Sequence, residues 1–433
     1  MKYFFTLTLC LLLSFSGIIK AQNPVPAKSQ TQAIVISNAT IHVGNGQVLS
    51  NSSIRFEKGI ITAIGSNVDK TGAEEINVNG QHLYPGLILP GSSLGLSEIG
   101  AVRATIDVAE TGDFNPEVRS LVAYNTDSEL IPTLRSNGVL LAQSTPDGNM
   151  VKGTSSVFEL DGWNWEDAVH TPDDAIHVNW VPMFTRGNFF SANPGKIEKN
   201  EKRVEILQNM HRVFQECKAY LENPNPKAKN LKFEAMRGLF DGKKALFIHV
   251  DFSREIVEAV QFAQSYQVKK IAIIGAADAL PVADFLKENQ IPVVLSRLHR
   301  LPQGSDEAVW MPYQLPSLLK KAGVLVGLAY DTDGSPMGSR NLPFVAGTAA
   351  AYGLSKEEAL QMITANNAKI LGIDNKVGTL EVGKQATLVV SQGDILDMRS
   401  SQVTQAFIQG KKVDLNDKHK QLYQRFKEKY SRK

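Results

Sequence analysis

Cysteine is almost absent: the 433-residue sequence holds two. Cys10 lies in the leader, which leaves Cys217 alone in the rest of the chain, so no internal disulfide can form and the fold must rest on its hydrophobic core. Net charge is nearly absent too. Lysine and arginine number 46 against 44 aspartates and glutamates, a formal charge of +2 that falls to 0 once residues 1–21, with Lys2 and Lys20 and no acid, are removed. A chain without a basic surplus is not built to neutralise a phosphate backbone, and no nucleic-acid partner is expected. The apolar run from Lys2 to Ile19 is short for a helix that crosses a bilayer. With Lys2 ahead of it and Ala21 offering a small residue for cleavage, residues 1–21 read as a secretory signal peptide. No cysteine near that point could accept a lipid, so the expectation is an exported, periplasmic or secreted protein with no stable membrane anchor.

The remaining length suits a large domain plus a smaller one. Residues 22–32 are polar, carry Pro24 and Pro26, and read as a flexible leader. Residues 33–83 are short β-rich runs with turn residues between them (AIVISNATIHV, SSIRFEKGIITAIGS), and residues 375–415 have the same character (LEVGKQATLVVSQGD, VTQAFIQGKKVDL). Neither end closes a core alone. The economical reading is one discontinuous β-sandwich domain built from both chain ends. Between them, residues 84–374 alternate apolar strand-like runs with amphipathic helices, which predicts an α/β class fold, a (β/α)8 TIM-like barrel. The candidate strands are Leu87 to Leu89, Gly138 to Ala142, Ser155 to Leu160, His177 to Met183, Ala245 to Val250, Ile271 to Ile274, Pro292 to Leu295 and Val324 to Ala329. Helical spacing marks Glu201 to Leu221 and Ile256 to Ala263, and Ser355 with the glutamates after it predicts a capped helix to Ile363. Residues 416–433 form a C-terminal basic amphipathic helix, expected to dock through Leu415, His419, Leu422, Phe426 and Tyr430.

The most informative segment is Tyr84 to Leu94, YPGLILPGSSL. The two-residue period of a strand turns an H-x-H pair to one side, where both imidazoles can grip one cation. Here Gly91 and Ser93 stand at that spacing. Glycine offers no ligand and serine a poor one.

Pro85, Gly86, Leu87, Ile88 and Leu94 match the strand PGLID-x-H-x-H-L of the amidohydrolase superfamily, and VGTLEVGKQATLVV matches its G-x-L-x-x-G-x-x-A-D-L at Gly378, Leu380, Gly383, Ala386 and Leu388, with Thr387 in place of the aspartate. The chain thus resembles that superfamily, nearest its imidazolonepropionase-like and dipeptidase-like members, over nearly all of its length after the leader. The resemblance implies one or two divalent metals at the C-terminal mouth of the barrel. Their ligands would come from the H-x-H of the first strand, histidines ending the fifth and sixth, and an aspartate ending the eighth, with metal-bound water as the reagent. Laid on this sequence, those positions are Gly91 and Ser93, His249, Gly275 and Asp331.

Two of five ligand positions therefore survive, and zinc takes about three protein ligands. His249 and Asp331 are the candidate catalytic residues and the residual metal ligands. Gly91, Ser93 and Gly275 occupy lost positions. If the strand ends keep the superfamily geometry, histidines at these three would restore metal uptake. Asp251, beyond His249, Asp333 in the turn YDTDGSP, and Arg297 and His299 in RLHRL are candidate substrate-binding residues, the last two suited to an anion. A nucleophilic triad of Ser92 or Ser93 with His249 and Asp331 would also sit at the mouth. No tightly bound cofactor is expected, and zinc or another divalent metal only if the protein is active. The leading expectation is a metal-site-depleted superfamily member that binds a small-molecule ligand or supports an active amidohydrolase partner subunit, with a homo-oligomer also open. The alternative is a divergent hydrolase of a cyclic amide, amide or dipeptide.

Overall fold

The computed structural model describes residues 25–187, 196–223, 228–296, 298–304, 306–330 and 336–431. The expected signal peptide lies outside the described residues, as do Arg297, Asp331 and Asp333.

Five strands open the chain: Ala33–His42 (β1), Val48–Glu57 (β2), Ile60–Gly65 (β3), Ala73–Asn77 (β4) and His82–Pro85 (β5). The barrel follows with Leu87–Ser92 (β6), Val139–Ser144 (β7), Val151–Glu159 (β8) and Val169–Asn179 (β9). A short antiparallel ribbon, Phe184–Arg186 (β10) with Ile197–Lys199 (β11), precedes Ala245–Val250 (β12), Ile271–Gly275 (β13), Val293–Leu295 (β14) and Val326–Leu328 (β15). Leu388–Ser391 (β16), Val403–Ile408 (β17) and Lys411–Lys412 (β18) end the sheet-forming chain.

The two chain ends do build one sheet. β5 lies parallel to β1 on one side and antiparallel to β16 on the other, so the junction expected at residues 83 and 84 falls inside β5. Ile36, Ile54, Phe56, Leu83, Leu388 and Phe407 are fully buried in the core they share.

The barrel sheet runs in the order β15-β14-β13-β12-β9-β8-β7-β6. Its pairs are parallel except at β8, which is antiparallel to both β7 and β9. The connections explain the exception. A parallel crossover needs a dozen or more residues, whereas only residues 145–150 join β7 to β8 and residues 160–168 join β8 to β9. The fourth barrel strand also ends earlier than expected, at Asn179. Every residue of β8 is buried, including Lys152, Thr154, Ser155, Ser156 and Glu159, and this polar content blurs its strand pattern in the sequence.

Among the described residues β15 and β6, the two ends of that path, share no ladder. A side chain bridges them instead. Asn367, fully buried, donates from Nδ2 to the carbonyls of Ile88 on β6 (2.7 Å) and Leu328 on β15 (2.8 Å). Gly327 is required beneath it, because a Cβ there would stand 2.1 Å from Asn367 Oδ1.

The helices form where the spacing places them, over Arg203–Glu222 and Ser253–Ser265, and Ser355 with Glu358 makes the expected capping box ahead of Lys356–Met362. The C-terminal helix, Lys418–Ser431, differs from expectation. None of its residues is buried, and Leu422, Tyr423, Phe426 and Tyr430 remain exposed; of the residues expected to dock it, only Leu415, ahead of the helix, packs on the core.

Two predictions follow from this packing. Replacing Asn367 with leucine strips donors from two buried carbonyls, and urea unfolding should show a loss of about 2 to 4 kcal/mol. Glu159, at the end of β8, accepts from Gln409 Nε2 of the β domain, and burial pushes its carboxyl up to about 7 against an ordinary 4.5. A raised folded-state pKa favours the folded chain while the group is protonated, and that stabilisation is lost as pH rises through the folded value. The stability of Glu159→Gln relative to the parent should therefore increase by about 2 to 3 kcal/mol between pH 4.5 and pH 8, read as the difference in urea midpoints.

Candidate functional site at the barrel mouth

Phe247 and His249 lie two residues apart on β12 and face one side, as do Ala175, His177 and Asn179 on the neighbouring β9. The pairing of Phe247 with His177 stacks their rings 5.1 Å apart. It also brings His177 Nδ1 within 3.0 Å of His249 Nε2. From His177 the contacts run inward. Its Nε2 lies 3.0 Å from Ser155 Oγ on β8, and Ser155 donates to Asp174 Oδ1 at 2.8 Å. Gln143 on β7 donates to Asp174 Oδ2 at 2.6 Å and accepts the Gly91 N–H of β6 at 3.0 Å. One hydrogen-bonded chain thus crosses the barrel from the first strand to the fifth.

Its electrostatics follow from burial. Desolvation, with the nearby Lys152 ammonium second, holds the His249 and His177 imidazoles well below the ordinary value of 6.5. Burial pushes the Asp174 carboxyl up to about 6, partly offset by bonds from Ser155 and Gln143. Lys152 itself is paired with Asp147 at 3.1 Å.

Above His249 opens a cleft of about 880 Å³, lined by His249, Asp251, Gly275, His299, Arg300 and Tyr330 among others. Of the candidates from the sequence, the structure therefore brings together His249, Asp251, Gly275 and His299. Asp251 accepts the Ala277 N–H at 3.2 Å. His299 Nε2 bonds Thr348 Oγ1 at 2.7 Å and burial lowers its pKa, while Arg300 is held bidentately by Glu307 at 2.6 and 2.8 Å. His249 Nε2 faces His177, and neither Ser92 nor Ser93 is its partner: Ser92 Oγ accepts the Leu94 N–H at 3.3 Å.

Sequence reasoning missed His177, Ser155, Asp174 and Gln143. Asp174 and His177 differ by three residues and should face opposite sides of a regular strand. The ladder slips between Ser155 and Val157, and Asp173 takes a φ of +51°, which turns Asp174 inward. Only the histidine at a strand end was a visible signal.

The residues present do not fit the metal centre that the resemblance implies. Gly91 has a φ of +64° and Gly275 of +102°, backbone that L side chains avoid. A Cβ on Gly275 would stand 2.8 Å from Asp251 Oδ1 and 3.0 Å from the Val250 carbonyl. Among the described residues no group of three or more His, Cys, Asp or Glu is placed to hold a metal ion.

Comparison with known proteins points to the same superfamily. The amidohydrolase family profile matches residues 214–413. An amidohydrolase from Thermotoga maritima MSB8 superposes with a TM-score of 0.75 at 24% identity, over 88% of this chain and 99% of that one. In sequence over residues 214–413 and in fold over most of its length, the chain is similar to members of the amidohydrolase superfamily. An adenosine deaminase from Xanthomonas campestris, solved with bound zinc, shares the fold at a TM-score of 0.52 and 15% identity, over 93% of this chain and 97% of that one. In sequence, the imidazolonepropionase of Shewanella frigidimarina is 32% identical over 133 residues, 30% of this chain and 27% of that protein. The 5-methylthioadenosine/S-adenosylhomocysteine deaminase of Thermoanaerobacter pseudethanolicus is 26% identical over 215 residues, 44% and 45%. The matched stretch spans about a quarter of the first relative and under half of the second.

The glycine conformations weigh against the expectation that histidines would restore a metal site. Gly91→His, Ser93→His and Gly275→His together should leave zinc affinity in equilibrium dialysis unchanged, because a Cβ on Gly275 would run into Asp251 and the Val250 carbonyl, and Gly91, like Gly275, holds a left-handed φ that side chains avoid. The same variant should lose about 2 kcal/mol or more of stability from the two left-handed positions.

Proposed function

We propose that this protein binds a small polar molecule at the barrel mouth and does not use the metal-activated water on which the resemblance turns. The observation that carries the reading is the pairing of a retained cleft with ligand positions that carry no donor. Gly91 and Gly275 both have left-handed φ, and the 880 Å³ cleft that Gly275 lines is of ligand size. His249, the surviving histidine, is engaged with His177. Such a chain can serve alone, as a homo-oligomer, or as the binding subunit beside an active relative. Export through residues 1–21 belongs to the same proposal. Among the described residues no helix is long and apolar enough to cross a membrane.

A second reading has one observation in its favour. The chain from Asp174 through Ser155 and His177 ends on an imidazole lining the cleft, an arrangement able to support proton transfer. On that reading the protein is a divergent hydrolase of amides, cyclic amides or dipeptides.

One experiment separates the two. Protein purified without chelator should contain well under one zinc per chain, show thermal stabilisation by members of a small-molecule library, and leave a panel of amide, lactam and dipeptide substrates intact. About one zinc per chain, or turnover on the panel that His249→Gln abolishes, would overturn the binding reading.

A further inference from the structure

The buried chain fixes which atoms carry protons. The Gly91 N–H donates to Gln143 Oε1, so the Gln143 amide nitrogen must face Asp174 and Ser155. A serine hydroxyl has one hydrogen and two lone pairs. Ser155 gives its hydrogen to Asp174 Oδ1 at 2.8 Å, closer than the Ala175 carbonyl at 3.3 Å, and one lone pair accepts from Gln143 Nε2 at 3.2 Å. The other lone pair takes His177 Nε2, 3.0 Å away, which therefore carries the proton. With its Nε2 proton given to Ser155, His177 in its neutral form, the form an imidazole takes above about pH 7, leaves Nδ1 as an acceptor. His249 Nε2, at 3.0 Å from that atom, is then the donor. What His249 offers the cleft is Nδ1.

We propose that Asp174, Ser155 and His177 lock His249 as a hydrogen-bond acceptor at the barrel mouth, so that the cleft selects a ligand that donates N–H, of the amidine, guanidine or primary amine class, over carboxylates and phosphates. The inference rests on the reading of this cleft as a ligand site. Two further features of the wall agree with it. The helical back-bond of Thr348 Oγ1 to the Phe344 carbonyl, at 3.1 Å, uses the threonine hydrogen and leaves Oγ1 to accept from His299 Nε2. His299 thereby presents its own Nδ1 as a second acceptor. Arg300, a cation that would draw an anion, has both terminal nitrogens committed to Glu307. Asp174, Ser155 and His177 act through His249 and are positioning residues.

The test uses the full chain at pH 8, above the value of about 6 at which Asp174 titrates. Labelling with nitrogen-15 histidine and recording long-range proton–nitrogen correlations reads the tautomer directly, with the His249 signals assigned by their loss in His249→Gln. The expected result is a protonated Nε2 and a bare Nδ1 on His249, and in Ser155→Ala or Asp174→Asn a mixture of the two tautomers. Calorimetry with benzamidine and benzoate, nearly isosteric probes of opposite hydrogen-bonding character, reads the consequence. Benzamidine should bind at least about tenfold more tightly than benzoate, and Ser155→Ala should reduce that preference by about tenfold, the equivalent of one net hydrogen bond. The unsubstituted protein's spectrum decides even if a variant fails to fold. A protonated Nδ1 on His249, or benzoate bound as tightly as benzamidine, overturns the inference and leaves the cleft a ligand site. A cleft that takes library compounds but neither probe also overturns it. A cleft that takes nothing overturns the inference and the ligand-site reading together.

Discussion

Inside a closed barrel a polar side chain has no bulk water to turn to, and every buried donor or acceptor has to find a protein partner or cost about 1 to 3 kcal/mol. That constraint organises this molecule. β8 is buried along its whole length yet is rich in polar residues, and these are answered from other parts of the fold: Thr154 by the Pro116 carbonyl, Ser156 by the Asp173 N–H, Ser155 by Asp174 and His177. Gln143 then ties the set to β6 through Gly91. The chain of contacts adds side-chain bonds from strand to strand beside the backbone ladder. A strand of this composition is stable here only because its neighbours supply partners.

The same constraint governs how the barrel closes. β6 and β15 share no ladder among the described residues, so carbonyls at the seam would be left without donors in a dry interior. Asn367 supplies both from one amide, and its neighbour Asn366 supplies a third, to Val326 at 2.7 Å. A pair of asparagines on one short helix thus replaces part of a strand pairing. The glycine facing them is the geometric condition for that approach.

At the mouth, the departure from the superfamily pattern is one of backbone as much as of side chains. Losing a histidine leaves a gap that a later histidine could refill. A strand end that has moved into left-handed φ, with neighbouring atoms where a Cβ would go, is a different structure. Gly275 is of that second kind, and Gly91 shares its left-handed φ. His249 is engaged with a protein partner, and the cleft beside it is walled by imidazoles, a paired arginine and carboxylates that include Asp251.

Much of this was readable from residue order alone. Periodicity and turn residues determine the helices over Arg203–Glu222 and Ser253–Ser265, the capping box at Ser355, the parallel strands β12 to β15 and the pairing of both chain ends into one sheet, because each depends on local spacing or on burial patterns that a sequence displays. Gly91, Ser93 and Gly275, at the positions where the resemblance expects ligands, and His249 were equally visible, since they are identities at fixed positions. The reversed direction of β8, the inward turn of Asp174, the exposed face of the C-terminal helix and the asparagine seam were decided by tertiary structure. Each depends on which groups meet across the fold. His177 acquires its role only because β9 lies beside β12, and Gly275 becomes irreplaceable only because Asp251 and Val250 fill the space a side chain would take. Sequence spacing encodes what a residue offers, and only the packed chain decides which partner accepts it.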